Sequence, residues 1–227
     1  IFLVVNTAGS DTVYLDGKWH LTWIDGVHGG NNTRLFEGFA YEKDPGRYIQ
    51  AEVPKDLNQV FMDKGMLPDI NVGTHTLDAR WVAQQYYHYT RTFELTADQV
   101  EKRQWIVFER LDLNAVIYLN GSKIGEHKNA FRPFRKEITG KVRPGKNSIG
   151  VVIESGLYGV TEKSASDYNP QIRSAYAKRH WLRKPQYQYG WDWNPILVNI
   201  GITGSVYLQI RDDILLKRIV AVPEIQE

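Results

Sequence analysis

No cysteine occurs among the 227 residues. That absence excludes disulfide scaffolds, thiol nucleophiles, zinc ribbons and iron–sulfur sites, but leaves the compartment open, because exported proteins without bridges exist; a periplasmic or secreted location is slightly favoured over a cytoplasmic one. Long apolar runs are missing too. The longest aliphatic or aromatic run is Ile1 to Val5, far short of the roughly 20 residues that a spanning helix needs. No membrane partner is expected, and the run reads as a first strand or an ordered arm, since no basic segment precedes it to mark a signal peptide. Charge of one sign is scarce as well. Lys plus Arg is 28 against 26 for Asp plus Glu, a net +2, too small to argue for a nucleic-acid partner. The six histidines, His20, His28, His75, His88, His127 and His180, lack the close spacing of a metal site, so neither a metal nor a cofactor is expected. A serine elbow of the Gly-x-Ser-x-Gly kind is absent, and no internal repeat points to a solenoid or propeller. The carboxylates Glu109, Asp112, Glu126 and Asp212 show no evident partner and read as solvated faces or turn formers; no catalytic residue is assigned.

What is present is an ordinary globular composition, 42% hydrophobic and 24% charged, in a length that suits one large domain hiding about 70% of its unfolded surface. Short runs rich in Val, Ile, Trp, Tyr and Phe recur between turn residues, as strands do. They cover Thr12 to Trp23, Tyr48 to Val53, Tyr87 to Leu95, Gln104 to Leu111, Ala115 to Leu119, Asn147 to Glu154, Ile196 to Ile200 and Ser205 to Ile210. In the sixth run Ile149, Val151 and Ile153 alternate onto one face. Asn120-Gly121 predicts a tight hairpin, because both residues accept positive φ, and Pro144-Gly145 predicts a second turn. Many short strands with few helical stretches make the fold class all-β, an antiparallel β-sandwich or jelly roll. The loop Gly140 to Asn147 imitates a phosphate-binding loop, but a strand pattern follows it where a helix would have to begin, so it reads as a turn. Gly26 to Gly46 and Gly156 to Pro185 carry little periodicity and are long enough to suggest functional loops.

Aromatic residues are the conspicuous surplus: seven Trp, 13 Tyr and eight Phe. Five of them, Trp181, Tyr187, Tyr189, Trp191 and Trp193, fall within 13 positions around a single carboxylate, Asp192. Just before and within this block lie five cations, Arg173, Lys178, Arg179, Arg183 and Lys184, and no acid from Tyr168 to Trp191. Three readings stay open. Indole and phenol rings pack on the C–H faces of sugars while a carboxylate accepts their hydroxyls. Aromatic platforms beside a basic groove also suit single-stranded nucleic acid. Alternation at 187, 189, 191 and 193 equally describes one buried face of a strand.

The same block carries a resemblance. Arg183-Lys184-Pro185-Gln186-Tyr187, then Gly190-Trp191-Asp192-Trp193-Asn194-Pro195 and Gly201-Ile202 resemble the signature near the end of the N-terminal domain of β-mannosidases in glycoside hydrolase family 2. Met66 to Asp69, Arg80-Trp81-Val82, Tyr87 to Leu95, Leu111 to Gly121, Asn129 to Arg132 and Pro144 to Asn147 resemble its earlier motifs in family order. Lys55-Asp56, Asn194 and Thr203-Gly204 depart from the usual family residues. The resemblance implies a galactose-binding-like jelly roll over 1–213, with 214–227 as the start of a linker to a further domain. It also implies that the catalytic glutamates of such enzymes lie on a downstream barrel, so that this domain is a non-catalytic accessory to a retaining glycosidase. The partners implied are a β-mannoside or related carbohydrate and the downstream domains of the same polypeptide, with a stand-alone carbohydrate-binding module as the alternative. The substrate-binding residues implied are Asp192, with Trp193, Trp191 and Arg183 on the same wall.

Overall fold

The computed structural model of the chain describes residues 11–25, 48–160 and 179–212. Their strands form two main antiparallel sheets. A four-stranded sheet has the order β1-β14-β5-β9, built from Asp11–Tyr14 (β1), Arg103–Phe108 (β5), Phe134–Glu137 (β9) and Val206–Arg211 (β14). A six-stranded sheet has the order β3-β2-β4-β10-β7-β8. It is built from Gly17–Asp25 (β2), Tyr48–Val53 (β3), Gln85–Leu95 (β4), Asn114–Leu119 (β7), Ser122–His127 (β8) and Gly145–Glu154 (β10). Two short ladders complete the described strands: Leu111–Asp112 (β6) with Gly201–Ile202 (β13), and Tyr189–Trp191 (β11) with Asn194–Ile196 (β12). The expected all-β jelly-roll sandwich is what these strands build.

Period-two patterning selects the inward faces. In β14, Val206, Leu208 and Ile210 are buried, while Tyr207, Gln209 and Arg211 are half-buried on the other side. Trp19 of the larger sheet meets Phe108 of the smaller at 6.4 Å between ring centroids and Tyr89 at 6.5 Å, while its indole N–H donates to the Leu15 carbonyl at 2.7 Å. An indole is thus buried with its one polar group satisfied. A short helix, Leu57–Asp63, adds Leu57, Val60 and Phe61 to this core, and Asp56 caps its start by accepting from the Asn58 amide. In the Asn120-Gly121 hairpin both residues have positive φ, 50° and 82°, as a twist-matched two-residue turn requires. The Asn120 side chain is tied down by the Ser148 amide, Asn147 and the Lys141 carbonyl.

Three predicted strands come out differently, each for a traceable reason. The run from Thr12 to Trp23 is two strands in different sheets. Leu15 drops into the core, and the Asp16 carboxylate accepts from the Val206 amide at 2.7 Å, so the chain crosses between layers there. Gln104 to Leu111 likewise breaks after Phe108, and Leu111-Asp112 pairs instead with Gly201-Ile202. Beyond Ile196, the stretch predicted to continue to Ile200 leaves the ladder. Its amides go to Gln188 and Asp56 instead: Leu197 to the Gln188 carbonyl, Asn199 to the Gln188 side chain and Ile200 to Asp56. The first-strand assignment at Ile1 to Val5, the whole of Gly26 to Gly46, the middle of Gly156 to Pro185 and the linker at 214–227 lie outside the described residues.

Candidate functional site: the Trp-Asp-Trp hairpin and its clamp

Tyr189–Trp191 and Asn194–Ile196 pair with Trp191 opposite Asn194, which leaves Asp192 and Trp193 as a two-residue turn. Asp192 takes φ of 40°, a left-handed conformation that Asp tolerates better than most side chains. Gly190 precedes it at φ of 93°, a value suited to glycine, and the Gly190 carbonyl accepts from the Arg179 guanidinium at 2.8 Å. The same guanidinium lies 5.9 Å from the Trp191 ring centroid, within cation–π range. Asn194 donates its side-chain amide to the Tyr187 carbonyl at 3.1 Å, so the hairpin is strapped to the turn before it.

The buried-face reading of the aromatic alternation fails here. Only Tyr189 is inside, 4% exposed, in a small second cluster with Ala83, Leu113, Ala130, Leu157, Val160, Leu182 and Val198. Tyr187 is 54% exposed, Trp191 58% and Trp193 99%. The physical reason is that Tyr187 belongs to a 3-10 turn, Gln186–Gln188, and β11 is only three residues long, so no continuous pleat keeps these side chains on one face. Asp192 is exposed between its two indoles. Of the four residues implied as a sugar-contacting wall, Asp192, Trp191 and Trp193 stand together on the hairpin tip. Arg183 is exposed on the segment leading into it, with its carbonyl accepting from the Ala130 amide at 2.9 Å. Among the described residues no ion pair joins Arg183 to Asp192.

The basic run does not act as a unit. Arg173 and Lys178 lie outside the described residues, Arg179 is committed to the hairpin, and the Lys184 side chain is fully buried. Its ammonium stands 2.8 Å from Asp112 Oδ1 and donates to the Asn199 carbonyl at 2.7 Å. The expectation that Asp112 is a solvated or turn-forming carboxylate is therefore corrected: it is 5% exposed and forms an ion pair with Lys184. Burial pushes its pKa above the usual carboxylate range, against the opposing pull of Lys184. Burial likewise raises Glu154, opposed by the Gly156 amide at 2.7 Å and the Asn114 side chain at 2.6 Å. Asp56 is raised by burial too, although Ile200 and Asn58 donate to it. Two buried acids, Asp112 and Glu154, one buried ammonium, Lys184, and the half-buried Asp56 thus make up this set. Spacing could not have found this set: Asp112 and Lys184 are 72 positions apart and pair only through the sandwich. No three His, Asp or Glu side chains among the described residues converge as a metal cage would require.

Comparison with known proteins agrees with the geometry. The family described as glycosyl hydrolase 2 galactose-binding domain-like matches residues 36–204. A protein of Caenorhabditis elegans named probable beta-mannosidase is 26% identical over 206 residues, covering 85% of this chain and 23% of that protein. Beta-mannosidase B of Aspergillus terreus is 31% identical over 165 residues, covering 70% of this chain and 19% of its own length. Among solved structures, the β-D-mannosidase of Dictyoglomus thermophilum superposes with a TM-score of 0.72 at 26% identity, over 89% of this chain and 23% of that one. The chain therefore spans about a fifth to a quarter of the length of the relatives it matches. With two antiparallel sheets and a match across residues 36–204, the chain belongs to the glycosyl hydrolase 2 galactose-binding domain-like family.

Proposed function

We propose that the chain serves as a non-catalytic accessory domain of a β-mannosidase-like glycoside hydrolase, in which the Asp192 carboxylate accepts hydroxyl hydrogen bonds from the sugar in a pocket completed by other domains. The observation that carries this reading is the hairpin tip itself: an exposed carboxylate between an indole 58% exposed and one 99% exposed. Large apolar surface left open beside a fixed polar group is the pattern of a surface that gains a partner. Similarity to proteins named as β-mannosidases supports the substrate class, and Trp191 and Trp193 then supply ring faces for the sugar or for the adjoining domain. Arg183 belongs to the same wall at its base.

The test is steady-state kinetics on an aryl β-mannoside with a full-length enzyme that contains this domain. Asp192→Ala should cost about 2–4 kcal/mol of transition-state stabilisation, roughly 30- to 1,000-fold in kcat/KM, because a charged hydrogen bond to the sugar is lost. Unchanged kinetics would refute the role. Titration of the isolated chain with mannosides separates the stand-alone module: a wall completed by other domains binds too weakly to saturate, whereas a true module saturates at micromolar to millimolar concentrations, about 8 to 4 kcal/mol.

A further inference from the structure

Lys184 has a position that its place in a basic run does not explain. Its side chain is fully buried, its ammonium contacts the Asp112 carboxylate and the Asn199 carbonyl, and it lies 6.0 Å from the Tyr189 ring centroid. Burying an ammonium is costly unless it is paired and hydrogen-bonded. The partners here come from both sides of the same hairpin. Lys184 and Gln188 precede it, and Lys184 reaches Asp112, which β6 holds against Gly201 of β13. Asn199 follows the hairpin, and it is gripped twice: its carbonyl by Lys184, and its amide by the Gln188 side chain at 3.1 Å. Leu197 adds a third tie through the Gln188 carbonyl at 3.0 Å. One carboxylate on the sandwich thereby fixes where the hairpin leaves the sandwich and where it returns.

We propose that Lys184 is a positioning residue: its buried ammonium, bridging Asp112 and Asn199, locks both legs of the Trp-Asp-Trp hairpin and so sets the place of Asp192. The role in sugar binding rests on the function proposed above, while the clamp itself rests on the contacts alone. A generic stabilising ion pair would support the sandwich as a whole. A clamp acts on residues 185–199 and leaves β4 and β10 as they are.

Hydrogen exchange on the chain separates these. In Lys184→Met, the amides of Leu197 and Asn199 should lose protection by about tenfold or more, while those of Tyr89 in β4 and Val151 in β10 keep theirs. Because Met leaves the Asp112 carboxylate buried without its cation, Asp112→Asn/Lys184→Met is measured alongside. It removes the orphaned charge and should restore folding but not the protection at Leu197 and Asn199. Loss that extends equally to Tyr89 and Val151, or undiminished protection of Leu197 and Asn199 in the double variant, would overturn the proposal. In a full-length enzyme, Lys184→Met should lower kcat/KM about tenfold, yet change it by less than about twofold in an Asp192→Ala background, since residues that act through one another are not additive. Equal losses in both backgrounds would assign Lys184 to general stability and overturn the proposal. Should Asp192→Ala itself be silent, the sugar reading falls and the exchange pattern alone decides the clamp.

Discussion

Trp193→Ala and Tyr189→Ala should differ widely in their effect on stability, although the two aromatics lie four positions apart in a pattern that alternates like a strand face. Trp193 is 99% exposed, so its truncation gives back almost no buried area, and a surface change of this kind stays within about 0.5 kcal/mol. Tyr189 is 4% exposed against Leu113, Ala130, Leu182 and Val198. Emptying an aromatic site in a packed cluster costs about 3–5 kcal/mol, from lost transfer energy and the cavity left behind. The assay is urea unfolding of the chain followed by far-UV circular dichroism, which does not depend on the indole being removed. If the aromatics formed one buried face, both variants would lose several kcal/mol. A loss above about 1 kcal/mol for Trp193→Ala, or below that for Tyr189→Ala, would refute the outward hairpin.

Two further outcomes follow from the packing. Gly201 has φ of 132°, and a Cβ there would stand 2.9 Å from the Tyr89 hydroxyl and 3.3 Å from the Lys55 carbonyl; Gly201→Ala should therefore lower stability by about 2 kcal/mol or more through strain and overpacking, and an unshifted melting midpoint would count against it. His88 is held neutral by burial, its pKa lowered from 6.5 to about 4. The unfolded chain binds the proton first as pH falls, so this residue's contribution is intact above about pH 6.5 and is lost as pH falls from there toward 4. Between pH 7 and 5 the wild type should lose about 1–2 kcal/mol more stability than His88→Gln, a difference in which the buried carboxylates cancel; parallel pH profiles in urea titrations would contradict it.

Local rules made the fold class legible. Period-two runs and the Asn120-Gly121 turn depend on residues adjacent in sequence, and that turn has the positive φ values its residues suggest; at Pro144 the chain only bends, and Gly145, at φ of 80°, opens β10. The hairpin tip was legible as a motif for the same reason, since Gly190 to Asn194 is contiguous. Its orientation was not, because alternation describes a buried strand face and an exposed hairpin equally well until the length of β11 is known.

The chemistry of individual residues and the local pattern of apolar positions thus determined an all-β sandwich with a carboxylate set between indoles. Only tertiary structure decided that Thr12 to Trp23 crosses from one sheet to the other, that Lys184 is a buried ammonium while its neighbour Arg183 is exposed, and that Asp112 is its partner. Those outcomes depend on which distant strands meet. Asp16 ends a strand by binding Val206, 190 positions away, and Lys184 finds Asp112 only where β6 pairs with β13. Burial is set by the whole packed molecule, so the ionisation and reach of a charged side chain depend on neighbours that its own stretch of sequence does not contain.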